Sequence, residues 1–110
     1  MAKRIQRKRT KGWRLPKGCI YVGRGSHWGN PYRVVRETDG WHIEWSRHNW
    51  TLNTGPYLTK VYATRAAIDM FRTNTLPTLN LAPLRGHDLA CWCRLTDLCH
   101  ATALIEEANR

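Results

Sequence analysis

The stretch Asp88-Leu89-Ala90-Cys91-Trp92-Cys93-Arg94-Leu95-Thr96-Asp97-Leu98-Cys99-His100 constrains this chain most, because it gathers three of the four cysteines and one of the five histidines. Its apolar opening reads as a short buried strand, followed by a tight turn and the start of a helix. Alternate residues of a strand point the same way, so Cys91 and Cys93 face one direction. Thr96 or Asp97 is expected to cap the helix, which places Cys99 and His100 at or just before its first turn. Unpaired N–H groups and the positive end of the helix dipole there favour a thiolate over a thiol.

Three chemistries fit this cluster. A structural zinc would use Cys91, Cys93, Cys99 and His100, all of permitted ligand type. The C-x-C then C-H spacing is tighter than usual for zinc, and neighbours such as Cys99 and His100 seldom reach one tetrahedral ion together. A reactive, catalytic or anion-binding thiol would use Cys99, activated by the helix N-terminus, with His100 as acid or base beside it. In the third reading Cys91 and Cys93 are small core residues and His100 is only a polar residue of the first turn. All three stay open at this point.

A chain of 110 residues suits one small domain. We divide it into a basic N-terminal arm or edge strand, 1–17, and a compact domain, 18–110. No run of about 18 apolar residues is present, and no apolar h-region follows the basic N-terminus. A soluble, cytoplasmic protein without membrane contact is expected. In that reducing setting metal-bound, reactive or buried thiols are expected before disulfides.

Formal net charge is +10, and it is unevenly spread. Residues 1–36 hold 11 Lys or Arg and no acid, whereas residues 37–110 hold 7 basic and 8 acidic side chains. Lys3, Arg4, Arg7, Lys8, Arg9, Lys11, Arg14 and Lys17 would attract a polyanion, and nucleic acid is the obvious partner because phosphate neutralisation releases counterions. Arg7 and Arg9 are candidate phosphate contacts, and Trp13 and Trp28 lie among the charges as stacking surfaces. The alternatives are a solvated segment kept for solubility, or arginines that hold a small phosphorylated ligand.

Cys19-Ile20-Tyr21-Val22 reads as a buried strand, with Cys19 in the core away from the late cluster. It runs into Gly23-Arg24-Gly25-Ser26-His27-Trp28-Gly29-Asn30-Pro31-Tyr32. Glycines at this density let successive N–H groups turn toward one ligand, and Arg24 and His27 add charge to such an anion-binding concavity. Arg24, Gly25, Ser26, His27, Trp28 and Asn30 are therefore candidate ligand or phosphate contacts. The stretch is neither a Walker motif nor a G-x-G-x-x-G fingerprint, so an ordered turn with Trp28 plugging the core fits as well.

Tyr32–Arg36 and Trp41–Trp45 flank Thr38-Asp39-Gly40, a hairpin signal. Trp41, Ile43 and Trp45 share one face and His42 and Glu44 the other, with His48 and Trp50 extending the aromatic run. A second turn is expected at Asn53-Thr54-Gly55-Pro56. Thr59–Thr73 has helical spacing, with Thr64 as candidate cap and Ala63, Ala67, Met70 and Phe71 as one apolar stripe. Leu79–Leu84 is a connector with a short helical turn, and Leu98–Asn109 is the closing helix. This order predicts a small α/β or α+β mixed sheet with about two main helices, the last strand central and leading into the C-terminal helix. Ligands gather at the carboxyl ends of strands in such sheets. If the two strands are neighbours, Arg24, His27, Asn30, Cys99 and His100 share one pocket.

The blocks Ile20–Tyr32, Leu89-Ala90-Cys91-Trp92-Cys93 and Cys99-His100, with Thr64–Phe71 between them, resemble the family of the domain of unknown function numbered 4326, found in bacteriophages and bacteria. That resemblance covers about residues 4 to 108 and implies a phage- or prophage-encoded protein acting in the bacterial cytoplasm. Members often continue Cys-His with Gly-Asp, whereas this chain has Ala101-Thr102, so no acidic role transfers there. The resemblance implies no activity. Two functions from different classes are expected instead: a module binding nucleic acid or a nucleotide through the arm and Arg24, or an enzyme on a nucleotide or nucleic-acid component using Cys99 and His100. A third, an inhibitor of a host protein, leaves no mark in the sequence.

Overall fold

The computed structural model describes residues 2–47 and 50–110; His48 lies outside them. In chain order the elements are β1 (Arg4–Gln6), β2 (Ile20–Tyr21), β3 (Arg33–Glu37), β4 (Gly40–Arg47), β5 (Trp50–Tyr57), α1 (Lys60–Met70), β6 (Leu89–Cys91) and α2 (His100–Ala108). Two three-stranded sheets and two helices make this an α+β protein. No helix among the described residues is long and apolar enough to cross a membrane. Contacts divide the chain into two units, one of residues 1–29 with 78–110, the other of residues 30–77.

The first unit is built on the parallel order β1-β6-β2. β6 is central, as the apolar Leu89-Ala90-Cys91 run demands, and all three residues are buried. That is the signature of a parallel strand covered on both faces. The arm is thus a strand at its start, with Leu89 donating to the Lys3 carbonyl at 3.0 Å and Arg7 to that of Cys91 at 2.7 Å. On the other edge Ile20 and Val22 donate to Asp88 and Ala90. α2 packs against β6 and β1, burying Ala101, Ala103 and Leu104. Its far end is tied by Asn109, whose side chain accepts the Gly86 N–H and donates to the Ile105 carbonyl.

Neither Thr96 nor Asp97 caps α2. Residues 94–97 close a turn of their own, with Asp97 N–H on the Arg94 carbonyl at 2.9 Å, and the chain then runs extended so that Cys99 takes the N-cap position.

The second unit is the antiparallel order β3-β4-β5 with α1. Glu37 pairs with Gly40, so the expected hairpin forms around Thr38-Asp39. Asn53–Pro56 is not a turn. It lies inside β5, where Gly55-Pro56 marks a bulge between the pairs Trp41↔Tyr57 and Ile43↔Thr54. Gly55 has φ +137° and a Cβ there would meet the Trp41 carbonyl at 2.8 Å, so glycine serves close strand approach rather than chain reversal. α1 is capped by Thr59, which accepts the Tyr62 N–H, and Thr64 sits in its second turn. Ala63, Ala67 and Phe71 are buried at four-residue spacing, and the helix loosens into a wider turn at Phe71–Thr75 before Pro77.

Candidate nucleic-acid interface and thiol cluster

Strand parity sorts the first sheet into two chemically different faces. Gln6 pairs with Cys91 and Tyr21 with Ala90, so Tyr21, Arg7 and Trp92 project together at the carboxyl ends of the strands. There the Arg7 guanidinium lies 4.7 Å from the Tyr21 ring and 4.9 Å from the Trp92 ring, and Arg9 lies 4.9 Å from Trp92. The result is a layered array of two cations and two π-systems. Trp92 remains 40% exposed and Arg9 is exposed, so the array opens to solvent. Sequence reasoning named Arg7 and Arg9 but missed Tyr21 and Trp92 as their partners. The signal was present: Trp92 stands between Cys91 and Cys93, so parity turns it away from the sulfurs.

Opposite parity brings the cysteines together. The sulfurs of Cys91, Cys93 and Cys99 all lie within 4.8 Å of one another, close enough to hold a metal ion. Cys91 and Cys99 Sγ are 3.1 Å apart and buried, while Cys93 is half-buried. Arg4 holds the connecting loop, its guanidinium donating to the carbonyls of Arg94 at 3.0 Å and Leu95 at 2.6 Å. Hydrogen bonds from Cys91 and then Cys93 hold the Cys99 thiol well below its ordinary range, with further help from the Ala101 N–H and the Arg4 charge. The hydrogen bonds of Cys93 and then Cys99, with burial, push the Cys91 thiol up; Cys91 pulls Cys93 down, but the Cys99 hydrogen bond and burial push it up on balance. Cys19 is outside the cluster, its thiol pushed up by burial and by Asp88.

His100 does not join the three sulfurs as a fourth member of that group. Its Nε2 sits 2.7 Å from the Val22 carbonyl, which can only accept, so Nε2 carries the proton. Burial lowers its pKa and keeps the ring neutral. Its Nδ1 stands 3.7 Å from Cys99 Sγ.

The glycine loop lies beside this histidine. Arg24 is exposed and its charge reaches His100, so the loops after β2 and β6 are neighbours as expected. The loop is folded on itself, with Ser26 bonding the Gly23 carbonyl through both Oγ and N–H, Gly29 bonding Ser26, and the Tyr21 hydroxyl donating to the Arg24 carbonyl. Gly25 supplies the positive φ of +86°. His27 is exposed and meets Trp28 edge-on. The Trp28 indole N–H is buried without a hydrogen-bond partner among the described residues. Asn30 belongs to the other unit, where its amide accepts the Tyr32 N–H and donates to the Ala67 carbonyl.

That second unit holds a cluster that sequence reasoning missed. His42 is buried, with Nδ1 on Asn53 Oδ1 at 2.7 Å and Nε2 on Asp39 Oδ1 at 2.7 Å and Glu37 Oε2 at 3.3 Å. Asn53 donates to Glu37 through its NH2, which leaves only its oxygen for the histidine. Both ring nitrogens therefore donate, and the hydrogen bonds of Asp39 and then Asn53 raise the His42 pKa.

A family model, Domain of unknown function (DUF4326), matches residues 5–110. No curated protein and no solved structure matches significantly.

Proposed function

The chain belongs to the DUF4326 family, and from the site itself we propose that it binds nucleic acid, or a phosphate-bearing component of one, through the Tyr21-Arg7-Trp92-Arg9 array and the neighbouring Arg24 loop. The observation that carries this reading is the array: exposed Arg9 and half-buried Arg7 supply phosphate neutralisation, and the guanidinium planes together with the 40% exposed indole they cover supply stacking surface for a base irrespective of sequence. The array is drawn in part from the N-terminal stretch that carries the chain's excess positive charge.

An enzyme using Cys99 has a favouring observation of its own, the depressed thiol at the start of α2. Cys99 is 5% exposed, however, so a substrate would have to displace packing to reach it. The binding reading requires no such movement.

Fluorescence anisotropy with labelled single strands, duplex and mononucleotide tests the proposal across a salt series. Binding to single strands should weaken with salt by about 0.7 log units per log unit for each phosphate neutralised. Trp92→Ala should lose about 1–3 kcal/mol, roughly 5- to 150-fold in affinity. Binding that ignores both salt and Trp92, or no binding to any of the three probes, would overturn it.

A further inference from the structure

We propose that Cys91, Cys93 and Cys99 form a zinc site, with three thiolate ligands and a fourth position for solvent. Two sulfurs suffice for a disulfide, and a third converging on them has no role in one. Within the described residues the sulfurs form a mutual group without a carboxylate, and an all-thiolate donor set selects zinc or another soft ion over magnesium or calcium. Each ligand comes from a different piece of local structure: the end of β6, the bend after it, and the residue that opens α2. The bend at Cys93 is half-buried, which leaves an entry path.

The geometry needs a small opening. With Zn–S near 2.3 Å, two thiolates of a tetrahedral site stand about 3.8 Å apart, whereas Cys91 and Cys99 are 3.1 Å apart. The two sulfurs must therefore part by about 0.7 Å to take the ion. Ligation releases to solvent the protons that the three sulfurs still hold and leaves a zinc–trithiolate of net charge −1. Arg4, already anchored on the carbonyls of Arg94 and Leu95, provides the compensating cation. The ion would clamp residues 91–99 from inside while Arg4 holds them from outside.

The test uses the full chain, produced with zinc in the medium and purified under reductant without chelator. Elemental analysis should find a single zinc per chain, and cobalt exchange should give the near-ultraviolet charge-transfer absorption of cobalt–thiolate bonds. Cys91→Ser, Cys93→Ser and Cys99→Ser should each lose the ion, and Cys19→Ser should keep it. Since a serine variant can fail to fold, alkylation of the unmutated protein gives an independent reading. With zinc bound only Cys19 should label rapidly, and a chelator should release the other three together. Absence of zinc after reduction and refilling, retention by the three serine variants, or labelling that a chelator does not change would overturn the proposal.

Discussion

His100 donates its Nε2–H to the Val22 carbonyl at 2.7 Å, so the first residue of α2 is bonded to the residue that leaves β2. Both partners are buried, and the bond links the start of the closing helix to the glycine loop. His100→Ala removes the donor and leaves a carbonyl unsatisfied in a dry environment, which costs about 1–3 kcal/mol. Urea unfolding should show a lower midpoint with an unchanged slope.

Arg4 spans the greatest sequence separation of the polar contacts around the thiols. Arg4→Met keeps its aliphatic packing but removes both bonds to Arg94 and Leu95. Stability should fall by roughly 1–2 kcal/mol. Loss of a neighbouring cation should also raise the Cys99 pKa, seen as slower alkylation at low pH in metal-free protein when rates are compared across a pH series.

How much of this was legible beforehand depends on the distance over which the forces act. The central β6 was readable from Leu89-Ala90-Cys91, because a strand buried on both faces has no polar alternation. The β3–β4 hairpin was readable from Asp39-Gly40. The caps were not, since Thr59 and Thr64, like Thr96, Asp97 and Cys99, offer rival starts and tertiary packing chooses among them. Gly55-Pro56 imitates a turn locally, and only its pairing with Trp41 and Ile43 makes it a bulge. Convergence of Cys91 and Cys93 followed from parity, but the Arg4 tether and the Arg7–Trp92 stack arise from parallel pairing between chain ends, which no local pattern encodes.

The His42 cluster gives β3–β4–β5 a pH window. The raised His42 pKa contributes stability below its unfolded value near 6.5, lost as pH rises through the folded value. The Asp39 pKa is lowered, chiefly by the His42 hydrogen bond, so its contribution is present above the unfolded value near 3.8 and lost as pH falls through the folded one. Urea midpoints should therefore be highest between those two limits as far as this cluster is concerned. Asp39→Asn should flatten both flanks, and a profile identical to that of the unmutated protein would contradict the imidazolium assignment.

Glycine substitutions separate backbone conformation from crowding. Gly12 and Gly55 both have positive φ, but a Cβ at Gly12 meets nothing within 4 Å, whereas at Gly55 it meets the Trp41 carbonyl at 2.8 Å and the His42 ring at 3.0 Å. Gly12→Ala should cost only the left-handed conformation, roughly 1–2 kcal/mol. Gly55→Ala adds a clash with backbone that cannot yield without breaking the bulge, and overpacking of that kind costs a further 1–3 kcal/mol or so. Thermal unfolding of the two variants side by side should place Gly55→Ala clearly below Gly12→Ala. Equal losses would mean that β5 slides away from Trp41 at little cost, and that the bulge is a consequence of Gly55-Pro56 rather than a fixed feature of the pairing.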